Sequence, residues 1–420
     1  MIFANGTLLP DTERKTVLDG LETQLNAVCA APPLEAETVI RAVDALGKRL
    51  EAGEFAPLLA RFLPAGVGLD QLLPLLRREA LEAKLAAELG PEPFRPVKLA
   101  KTTARALPLG VLFHIAPGNM PGLPVYTALE GLLTGNINLI KLPHGDKGLS
   151  LAAFQLLTEQ EPRLAPYLYA FDLSSGQREE LDALAALADG LVAWGGDGAI
   201  EAARTLAGPG CKLIEWGHRL SFAYVSGYED REGELSSLAA HIVDTGQRLC
   251  SSCQVIFLDT GNWEEGAAFC RDFLPYLERA AAKRPGPSGG ASASLSGHTA
   301  LLERVADGRA AGEALFRGKG CSAVLRPGRE LELSPMEGNV LVKLLPQVEL
   351  LPALRRQKGR LQTAGLLCEP GKREELAQLL ARAGVTRVTR AGSMSAAFPG
   401  EAHDGEYPLR RYVRVVDVEL

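Results

Sequence analysis

The amino-acid sequence predicts an α/β protein built from two doubly wound parallel-sheet domains. Apolar, strand-like runs alternate with helical patterns from residue 96 to 225, and the alternation repeats more loosely from 227 to 383. Strands that alternate with helices at this spacing form right-handed βαβ crossovers and therefore parallel sheets. The chain has 420 residues, which is too long for one ordinary hydrophobic core, so we expect at least two domains.

The first part of the chain, residues 1–95, shows mainly helical periodicity. Apolar residues recur at helical spacing, as in Leu18, Leu21 and Leu25, and Pro32-Pro33 interrupts the pattern. This part carries no catalytic signal. We expect its helices to pack on the sheet that follows, within a first domain of residues 1–226.

The rest of that first domain is predicted as an alternating series. Its strands are predicted at 110–115, 138–141, 168–173, 191–194, 212–215 and 222–225, with helices at 125–133, 149–157, 177–188 and 199–206. Parallel sheets of this kind bind nucleotides at the carboxyl ends of their strands. We therefore expect a nucleotide-binding domain of the Rossmann type.

A second α/β domain is predicted over residues 227–400. Its helices are predicted at 231–249, 263–282 and 372–383, its strands at 254–258, 323–325, 340–345 and 361–367, and a mobile Gly/Ser-rich surface loop at 286–297. The final segment, 401–420, is strongly β-prone, and a terminal strand needs a partner. It is predicted to be a small oligomerisation element or to return to the first domain.

Composition and charge narrow the class of protein. The net charge is -6 and no long Lys/Arg block occurs, which argues against a nucleic-acid binder. No apolar run approaches ~18 residues and no signal peptide is evident, so we expect no membrane span and a cytoplasmic location. The seven cysteines are scattered, which disfavours a disulfide framework, and none pairs with a second cluster at zinc spacing. We expect no metal site.

The stretch Gly246–Gln254 is the strongest candidate for chemistry. It places Cys250 between a helical pattern and a β-type run, on a turn where rigid elements can hold a nucleophile open to a substrate. The alternatives are that Cys250 and Cys253 are small buried hydrophobes, or that they form a redox pair.

Other candidates follow predicted strands of the first domain. Asn119, in a loop stiffened by Pro117, could donate to an oxyanion, although Asn is also common in turns. Lys141 could bind a cofactor ribose or phosphate, with His144 and Lys147 beside it, although a solvated surface Lys is the commoner case. No acidic residue comes before Asp146 there, which favours NADP over NAD.

Two further groups complete the set. The turn Gly195-Gly196 could hold a pyrophosphate at a helix N-terminus, where Asp197 is also a candidate helix cap. Glu215 lies beside Trp216 and could act as a base, or could be an ordinary hydrogen-bonded Glu. His403-Asp404 fits a proton relay and a polar turn equally well.

The order Asn119, Lys141, Glu215, Cys250 resembles that of the aldehyde dehydrogenase superfamily. The chain is more closely similar to the acyl-CoA reductase branch, which includes the fatty-acid reductase component of bacterial bioluminescence. The stretches that carry this resemblance are 116–121, 194–197, 217–221, 247–254, 361–365 and 403–409, and together the likeness extends over roughly residues 95–420. The spacing of Cys250 from Gln247 also fits that branch.

The resemblance implies an aldehyde dehydrogenase-like fold and reduction of a fatty acyl-CoA to an aldehyde, with NADPH favoured and NADH possible. Its implied catalytic residues are Cys250 as the nucleophile, Asn119 as the oxyanion donor, and Glu215. The implied cofactor-binding residues are Pro117, Lys141, His144, Lys147, Gly195 and Gly196. A homo-oligomer, dimer or tetramer, is expected.

Some roles stay open. Arg248 is the candidate for the positive charge that a reactive thiol needs, and Glu337 is a candidate for gripping the nicotinamide ribose. Two other functions compete with acyl-CoA reduction. One is oxidation of an aldehyde to an acid with Glu215 as the base, and the other is a non-catalytic scaffold with the same fold.

Overall fold

The computed structural model describes residues 1–63, 69, 72–118, 120–283 and 312–419. The chain divides into two compact units, one formed by Met1–Gly217 with Ala397–Leu420 and the other by His218–Ala396. The predicted loop at 286–297 lies outside the described residues, as does Asn119.

The strands are β1 (Ile2–Ala4), β2 (Thr7–Leu9), β3 (Val97–Lys98), β4 (Thr103–Pro108), β5 (Val111–Ile115), β6 (Ile137–Lys141), β7 (Leu168–Phe171), β8 (Gly190–Trp194), β9 (Lys212–Trp216), β10 (Leu220–Val225), β11 (Cys253–Leu258), β12 (Ala314–Gly318), β13 (Cys321–Leu325), β14 (Asn339–Leu344), β15 (Leu361–Leu367), β16 (Arg387–Arg390) and β17 (Val413–Val418).

The α-helices are α1 (Arg14–Ala30), α2 (Ala36–Glu51), α3 (Ala56–Leu59), α4 (Arg78–Leu89), α5 (Leu123–Leu133), α6 (Leu149–Gln160), α7 (Arg178–Ala186), α8 (Asp197–Leu206), α9 (Arg231–Thr245), α10 (Trp263–Lys283), α11 (Gln347–Arg355), α12 (Arg373–Ala383) and α13 (Pro408–Arg411). Short 3-10 helices occupy Asp11–Glu13, Leu73–Leu76, Pro162–Tyr167, Pro370–Lys372 and Ala391–Ser393. Within the described ranges, no helix combines the length and apolar character needed to cross a bilayer.

The first unit contains a sheet in the order β2-β1-β7-β6-β5-β8-β9. Strands β5 to β9 are parallel, and the chain moves outward from β5 in one direction through β6 and β7, then returns to the other side for β8 and β9. The predicted doubly wound parallel sheet is confirmed, while its role in nucleotide binding stays a prediction. A reversal of this kind opens a crevice at the carboxyl ends of the two strands that flank it.

The N-terminal hairpin β1–β2 was not predicted, because residues 1–95 were expected to be mostly helical. It pairs antiparallel with the edge strand β7. Its turn is Asn5-Gly6, and both residues have positive φ, 47° and 80°. Asn-Gly is the commonest signal for a two-residue hairpin, so the sequence held the information.

The second unit contains a sheet in the order β12-β13-β14-β11-β10-β15-β16, parallel except for β12. Strand β10 is an interior strand of this sheet, between β11 and β15. Residues 222–225 were predicted to belong to the first domain, with the boundary at 226. The structure places the boundary at 217, because β10 begins the second sheet rather than ending the first.

Both faces of the second sheet are covered by helices, which explains its continuous apolar strands. Alternate residues point to opposite faces, so Ala223 and Ile256 pack with α9 and α10, while Phe222 and Val255 pack with α11 and α12. This two-sided burial holds the amino ends of the parallel strands in fixed positions. Those ends carry the site described below.

The C-terminal segment returns to the first unit. Strand β17 pairs antiparallel with β4 along its whole length, and β4 also pairs with β3. The segment is anchored before the strand begins, because Asn136 Nδ2 donates to the carbonyl of Tyr412 at 3.0 Å and the Leu409 N–H donates to the Glu88 carboxylate at 2.7 Å. A return to the first domain was one of the two predicted outcomes. A role in oligomerisation stays a prediction.

Candidate active site

Cys250 lies on a turn between α9 and β11, at the amino edge of the second sheet. Helix α9 ends at Thr245 because Gly246 and Gln247 both adopt the left-handed conformation, with φ of 54° and 61°. The predicted helix over 231–249 was therefore too long. A left-handed glutamine is uncommon and persists only where its surroundings fix it.

Two buried glutamines fix this turn. Gln247 Nε2 donates to the carbonyl of Cys253 at 3.1 Å and to Ser334 Oγ at 2.8 Å, and its Oε1 accepts from the Gly338 N–H at 3.1 Å. Gln254 closes the network, since its Nε2 donates to the Gln247 carbonyl at 2.8 Å and its Oε1 accepts from Ser334 Oγ at 2.8 Å. The turn is thus held on both sides of Cys250.

Cys250 itself is half-buried and contacts two further strand beginnings. Its Sγ accepts a hydrogen bond from Gln362 Nε2 at 3.2 Å, from the start of β15. Its carbonyl accepts from Ser221 Oγ at 2.7 Å, and that hydroxyl accepts from the Thr363 N–H at 3.0 Å. Both the side chain and the backbone of Cys250 are therefore positioned by β10 and β15.

Cys253 has a different environment, although it lies on the same turn. It is the first residue of β11 and is fully buried, and this burial raises the pKa of its thiol to about 12. Its N–H donates to His241 Nε2 at 3.3 Å, and burial lowers the pKa of that imidazole to about 4, so it stays neutral and can accept. Cys253 is therefore protonated and enclosed, whereas Cys250 is partly open.

The charged pair Arg248 and Glu337 lies on the exposed side of the turn. The Arg248 guanidinium contacts Glu337 Oε1 through Nε at 2.8 Å and Nη2 at 2.7 Å. Met336 and Glu337 both have positive φ, and the Glu337 N–H donates to the Gly246 carbonyl at 3.2 Å. The positive charge proposed for Arg248 is thus offset by Glu337, and the neutral amide of Gln362 donates a hydrogen bond to Cys250 Sγ.

In the first unit, the predicted cofactor residues gather at the carboxyl edge of the sheet. The loop after β5 packs tightly on the loop after β6, since a Cβ on Gly118 would lie 2.9 Å from Pro143 Cβ. Pro117 is buried in that loop. Asn119 follows immediately but lies outside the described residues, so its role as oxyanion donor stays a prediction.

Lys141 ends β6 and is half-buried. Burial lowers the pKa of its ammonium group, and Asp172, which follows β7, partly offsets that effect. His144 and Lys147 lie in the exposed loop after β6. The preference for NADP over NAD was predicted from the lack of an acidic residue before Asp146. Asp172 is an acidic group at the same sheet edge, and it weighs against that prediction.

The glycine turn after β8 has the geometry of a backbone cradle. Gly195 has a φ of 153°, and a Cβ there would lie 2.7 Å from Ala199 Cβ, so only glycine fits. Gly196 is exposed and is the N-cap of α8, with open space around it. Asp197, the alternative candidate for the helix cap, is the first residue of α8, and the N-cap position is taken by Gly196.

Glu215 is held by an arginine. Arg204 on α8 contacts both of its carboxylate oxygens, at 2.5 Å through Nε and 2.9 Å through Nη2. A carboxylate engaged in this bidentate pair is less available as a general base. The rings of Trp194, Trp216 and His403 pack together near Glu215, with centroids 5.0 to 5.4 Å apart. His403, the predicted member of a proton relay, therefore contacts two tryptophan rings.

No group of three or more His, Cys, Asp or Glu side chains that could hold a metal ion occurs in the part of the chain that the structure describes. All seven cysteines are free thiols. The second unit therefore offers a partly exposed cysteine, Cys250, with hydrogen-bond donors around it, and the first unit offers the carboxyl edge of a parallel sheet.

Comparison with protein families gives one decisive match. The family described as acyl-CoA reductase (LuxC) matches residues 33–415. The chain belongs to the acyl-CoA reductase family. That match includes the cysteine turn, the glycine turn and the return of the chain to the first unit.

Relatives within the acyl-CoA reductase family carry a slightly different description. A long-chain acyl-protein thioester reductase of Aliivibrio fischeri is 26% identical over 333 residues, covering 75% of this chain and 65% of that protein. The protein of the same name from Photorhabdus luminescens is 26% identical over 329 residues, again covering 75% of this chain and 65% of its own length. The match thus spans less than two thirds of these relatives.

Solved aldehyde dehydrogenases share the fold. Aldehyde dehydrogenase 21 from Physcomitrella patens, in complex with succinate, has a TM-score of 0.72 at 15% identity and covers 98% of this chain and 90% of its own. An indole-3-acetaldehyde dehydrogenase in complex with NAD+ has a TM-score of 0.70 at 16% identity, covering 97% and 89%. The predicted aldehyde dehydrogenase-like fold is confirmed.

Several residues of this acyl-CoA reductase family site were missed as functional candidates. They are Ser221, His241, Gln254, Ser334 and Gln362. Ser221, Gln254 and Gln362 lie within stretches already noted for their resemblance, and all three lie at or next to the start of a predicted strand. That shared position at the amino ends of parallel strands was the available signal.

Proposed function

We propose that this chain reduces a long-chain acyl thioester to an aldehyde, with NADPH or NADH as the reductant and Cys250 as the acyl carrier. The observation that carries the proposal is the contrast between two neighbouring thiols: Cys250 is half-exposed and accepts a hydrogen bond at Sγ, while Cys253 is buried with its pKa raised to about 12. The family membership and the relatives' acyl thioester descriptions support the same reaction.

In the proposed reaction, the Cys250 thiolate attacks the thioester carbonyl. The carbon–sulfur bond of the donor breaks, the donor thiol leaves with a proton, and the acyl group stays on Cys250. The hydrogen bond from Gln362 Nε2 favours the thiolate over the thiol, since a donor to a charged acceptor is worth more than one to a neutral acceptor. Asn119 and the Cys250 N–H are the proposed oxyanion donors.

The cofactor would be held at the carboxyl edge of the first sheet. The proposed contacts are Pro117, Lys141, His144, Lys147, Gly195 and Gly196. The open glycine turn at the N-terminus of α8 suits a pyrophosphate, because the backbone can approach closely there. When bound, the nicotinamide supplies the hydride that reduces the acyl group. The resulting thiohemiacetal on Cys250 then releases the aldehyde, regenerating the thiolate.

The thioester donor is part of the proposal. An acyl-CoA is the expected substrate, while the relatives' descriptions name an acyl-protein thioester. Both donors deliver the same carbonyl to Cys250, so a comparison of tetradecanoyl-CoA with a tetradecanoyl-protein thioester decides between them. Oxidation of aldehydes with Glu215 as the base is not favoured, since Arg204 holds that carboxylate.

The direct test compares Cys250→Ala with its neighbour Cys253→Ala. Wild type and Cys253→Ala are expected to gain the mass of one tetradecanoyl group when mixed with tetradecanoyl-CoA alone, and to release tetradecanal when NADPH is added. Cys250→Ala is expected to do neither. Acylation that survives in Cys250→Ala and disappears in Cys253→Ala would show that Cys253, rather than Cys250, is the nucleophile.

Two further expectations belong to this proposal. We expect a cytoplasmic homo-oligomer, a dimer or tetramer, that needs no nucleic acid or membrane span. The three-stranded sheet β3-β4-β17 is the candidate oligomerisation element, with Val97 and Val415 exposed on it. Light scattering of the wild type and of Val415→Arg measures whether that sheet controls the oligomeric state.

A further inference from the structure

The connection between β13 and β14 crosses the second sheet without a helix. The two strands are parallel neighbours, with Ser322 beside Asn339 and Leu325 beside Val342, so the chain must return from the carboxyl edge of the sheet to its amino edge. Such a connection needs about a dozen or more residues and is usually a helix. Residues 326–338, here named the crossover segment, make it as an irregular loop.

The crossover segment lies on the sheet face that α11 and α12 cover. Leu331 is 3% exposed and belongs to the same apolar cluster as Phe222 and Val255. A segment without a helix has no internal ladder of hydrogen bonds, so its buried backbone groups need partners from elsewhere. Gln357, which follows α11, supplies one of them, because its Nε2 donates to the Leu331 carbonyl at 2.7 Å.

Lys343 on β14 holds the same part of the crossover segment from the sheet. It is 1% exposed, and a lysine is almost never buried so deeply unless it is paired. Its Nζ donates to the Glu330 carbonyl at 2.8 Å and lies 2.5 Å from Glu332 Oε1. Arg326 Nη1 donates to the other carboxylate oxygen of Glu332 at 2.9 Å. The backbone and a side chain of the segment are therefore fixed together.

The amino-edge end of the crossover segment is bonded to the turn that carries Cys250. Ser334 Oγ accepts from one of the two buried glutamines of that turn and donates to the other, both at 2.8 Å. Glu332 and Ser334 are two residues apart, so at most about 7 Å of chain separates the Lys343 anchor from this contact. A chain this short transmits a displacement of Glu332 to the turn.

We propose that Lys343 and Gln357 are positioning residues for Cys250, and that they act through the crossover segment. Lys343 acts from near the carboxyl end of β14, whereas Cys250 lies at the amino edge of the same sheet. The inference rests on the proposed function for the reaction that Cys250 performs, but the position of the turn can be measured without turnover.

Two substitutions release the crossover segment from different sides. Lys343→Met keeps the length of the side chain and removes its donors. Gln357→Leu removes the donor to the Leu331 carbonyl, and the loss of stability is partly offset because Gln357 Oε1 is buried without a hydrogen-bond partner among the described residues. The controls are Leu380→Ala, which opens a cavity on α12 and leaves both anchors in place, and Gln378→Leu, at an exposed glutamine on the same helix.

Hydrogen exchange followed by mass spectrometry reports on the turn directly. In both released variants, Lys343→Met and Gln357→Leu, the amides of residues 330–338 and 246–254 are expected to exchange at least about tenfold faster than in wild type. The amides of β5, in the first unit, should exchange at the wild-type rate. The two controls should leave the exchange of residues 246–254 unchanged.

The chemistry of Cys250 gives a second readout. The pH profile of its alkylation by iodoacetamide, in a Cys253→Ala background, should move to higher pH in the released variants, because a displaced turn loses the donor to Sγ. Acylation by tetradecanoyl-CoA should slow by about 10- to 100-fold at saturation, since a misplacement of about 1 Å can cost on the order of 100-fold. The half-saturating concentration should change by less than about twofold.

A purely structural role for the two anchors predicts a different pattern. It would lower the melting temperature, as Leu380→Ala should, and leave the alkylation profile where it is. Natively folded released variants with wild-type exchange at residues 246–254 and a wild-type alkylation profile would overturn the proposal, as would the same shifts in Leu380→Ala. Should Lys343→Met not fold, Gln357→Leu decides alone.

The two proposals fail in distinguishable ways. If wild type forms no aldehyde from either thioester donor while the released variants show faster exchange and a shifted alkylation profile, the positioning role stands and the reductase function is wrong. If wild type reduces long-chain thioesters and the released variants match it in exchange, alkylation and acylation, the function stands and the crossover segment does not position Cys250.

Discussion

Replacing Gln362 with leucine tests whether a neutral amide supports the reactive form of Cys250. Gln362 Nε2 donates to Cys250 Sγ at 3.2 Å, and Gln362 is 7% exposed, so water has little access to replace the lost donor. Leucine has a similar volume but no donor. The substitution therefore removes the hydrogen bond with little change in packing.

The size of the expected pKa shift of Cys250 follows from the different strengths of hydrogen bonds to charged and to neutral acceptors. Hydrogen bonds to charged groups contribute about 1.5–3 kcal/mol and those between neutral groups about 0.5–1.5 kcal/mol. Loss of the donor thus disfavours the thiolate over the thiol by about 1.4 kcal/mol, which equals one pH unit. At neutral pH the rate of thiol alkylation should fall about tenfold.

The assay is the iodoacetamide alkylation rate of Cys250, followed by intact mass from pH 5 to 10 in a Cys253→Ala background. In Gln362→Leu the midpoint of the profile should move up by about one pH unit, while the plateau at high pH is unchanged. Gln362→Glu, which places an acceptor beside the sulfur, should move it further. Gln378→Leu removes an exposed glutamine on α12 and serves as the control.

A purely structural role for Gln362 makes a different prediction. It would lower the melting temperature and slow alkylation equally at all pH values. A midpoint in natively folded Gln362→Leu that stays within about 0.3 pH units of wild type would therefore refute the reasoning.

Three further predictions concern stability, measured by urea unfolding. Gly195→Ala should cost about 1–3 kcal/mol because its φ of 153° and the 2.7 Å approach to a helix side chain exclude a Cβ, whereas Gly196→Ala, with open space around it, should be nearly neutral; equal effects would contradict this. The Lys84 ammonium lies 2.6 Å from the buried Glu88 carboxylate. Lys84→Met leaves that carboxylate without its counter-charge and should lower the free energy of unfolding by about 3–5 kcal/mol, and adding Glu88→Gln should recover part of the loss. Burial lowers the pKa of His241 to about 4, against an ordinary value of about 6.5. The free energy of unfolding should therefore fall by up to about 3 kcal/mol as the pH decreases from 6.5 to 4, because the unfolded state binds the proton first. His241→Asn should flatten this pH dependence, and an unchanged slope would contradict the prediction.

The alternation of helices and strands was predictable because the central parallel strands, such as β5, β11 and β15, are buried on both faces, whereas the helices between them are apolar on one face. Strands such as β5 and β15 match their predicted ranges closely. The assignment of β10 to a sheet was not predictable from local pattern, because strand order depends on contacts between distant segments. One of its neighbours, β11, is the next strand along the chain, but the other, β15, comes from much later in the sequence.

The same distinction between local sequence patterns and long-range contacts applies to the candidate active site. Cys250 stood out because a thiol on a helix-to-strand turn has a local signature, and Gly195 because a glycine turn follows a strand. The contact with Gln362 joins positions 112 residues apart, and the Arg248–Glu337 pair joins positions 89 apart. No spacing rule reveals such pairs. The early end of α9 was also hidden, because the left-handed Gln247 is held largely by buried side-chain hydrogen bonds to later residues, such as Cys253, Ser334 and Gly338.

The insertion of His218–Ala396 within the first unit has a consequence for biosynthesis. Strand β4 leaves the ribosome long before β17, its main partner, and at about 5–20 residues per second the interval is roughly 15–60 s. During that time the second unit is translated in full, while β4 has only the short β3 beside it. The nascent chain therefore carries an open strand edge that invites association with other chains, and chaperone dependence should fall only when Val413–Val418 has emerged.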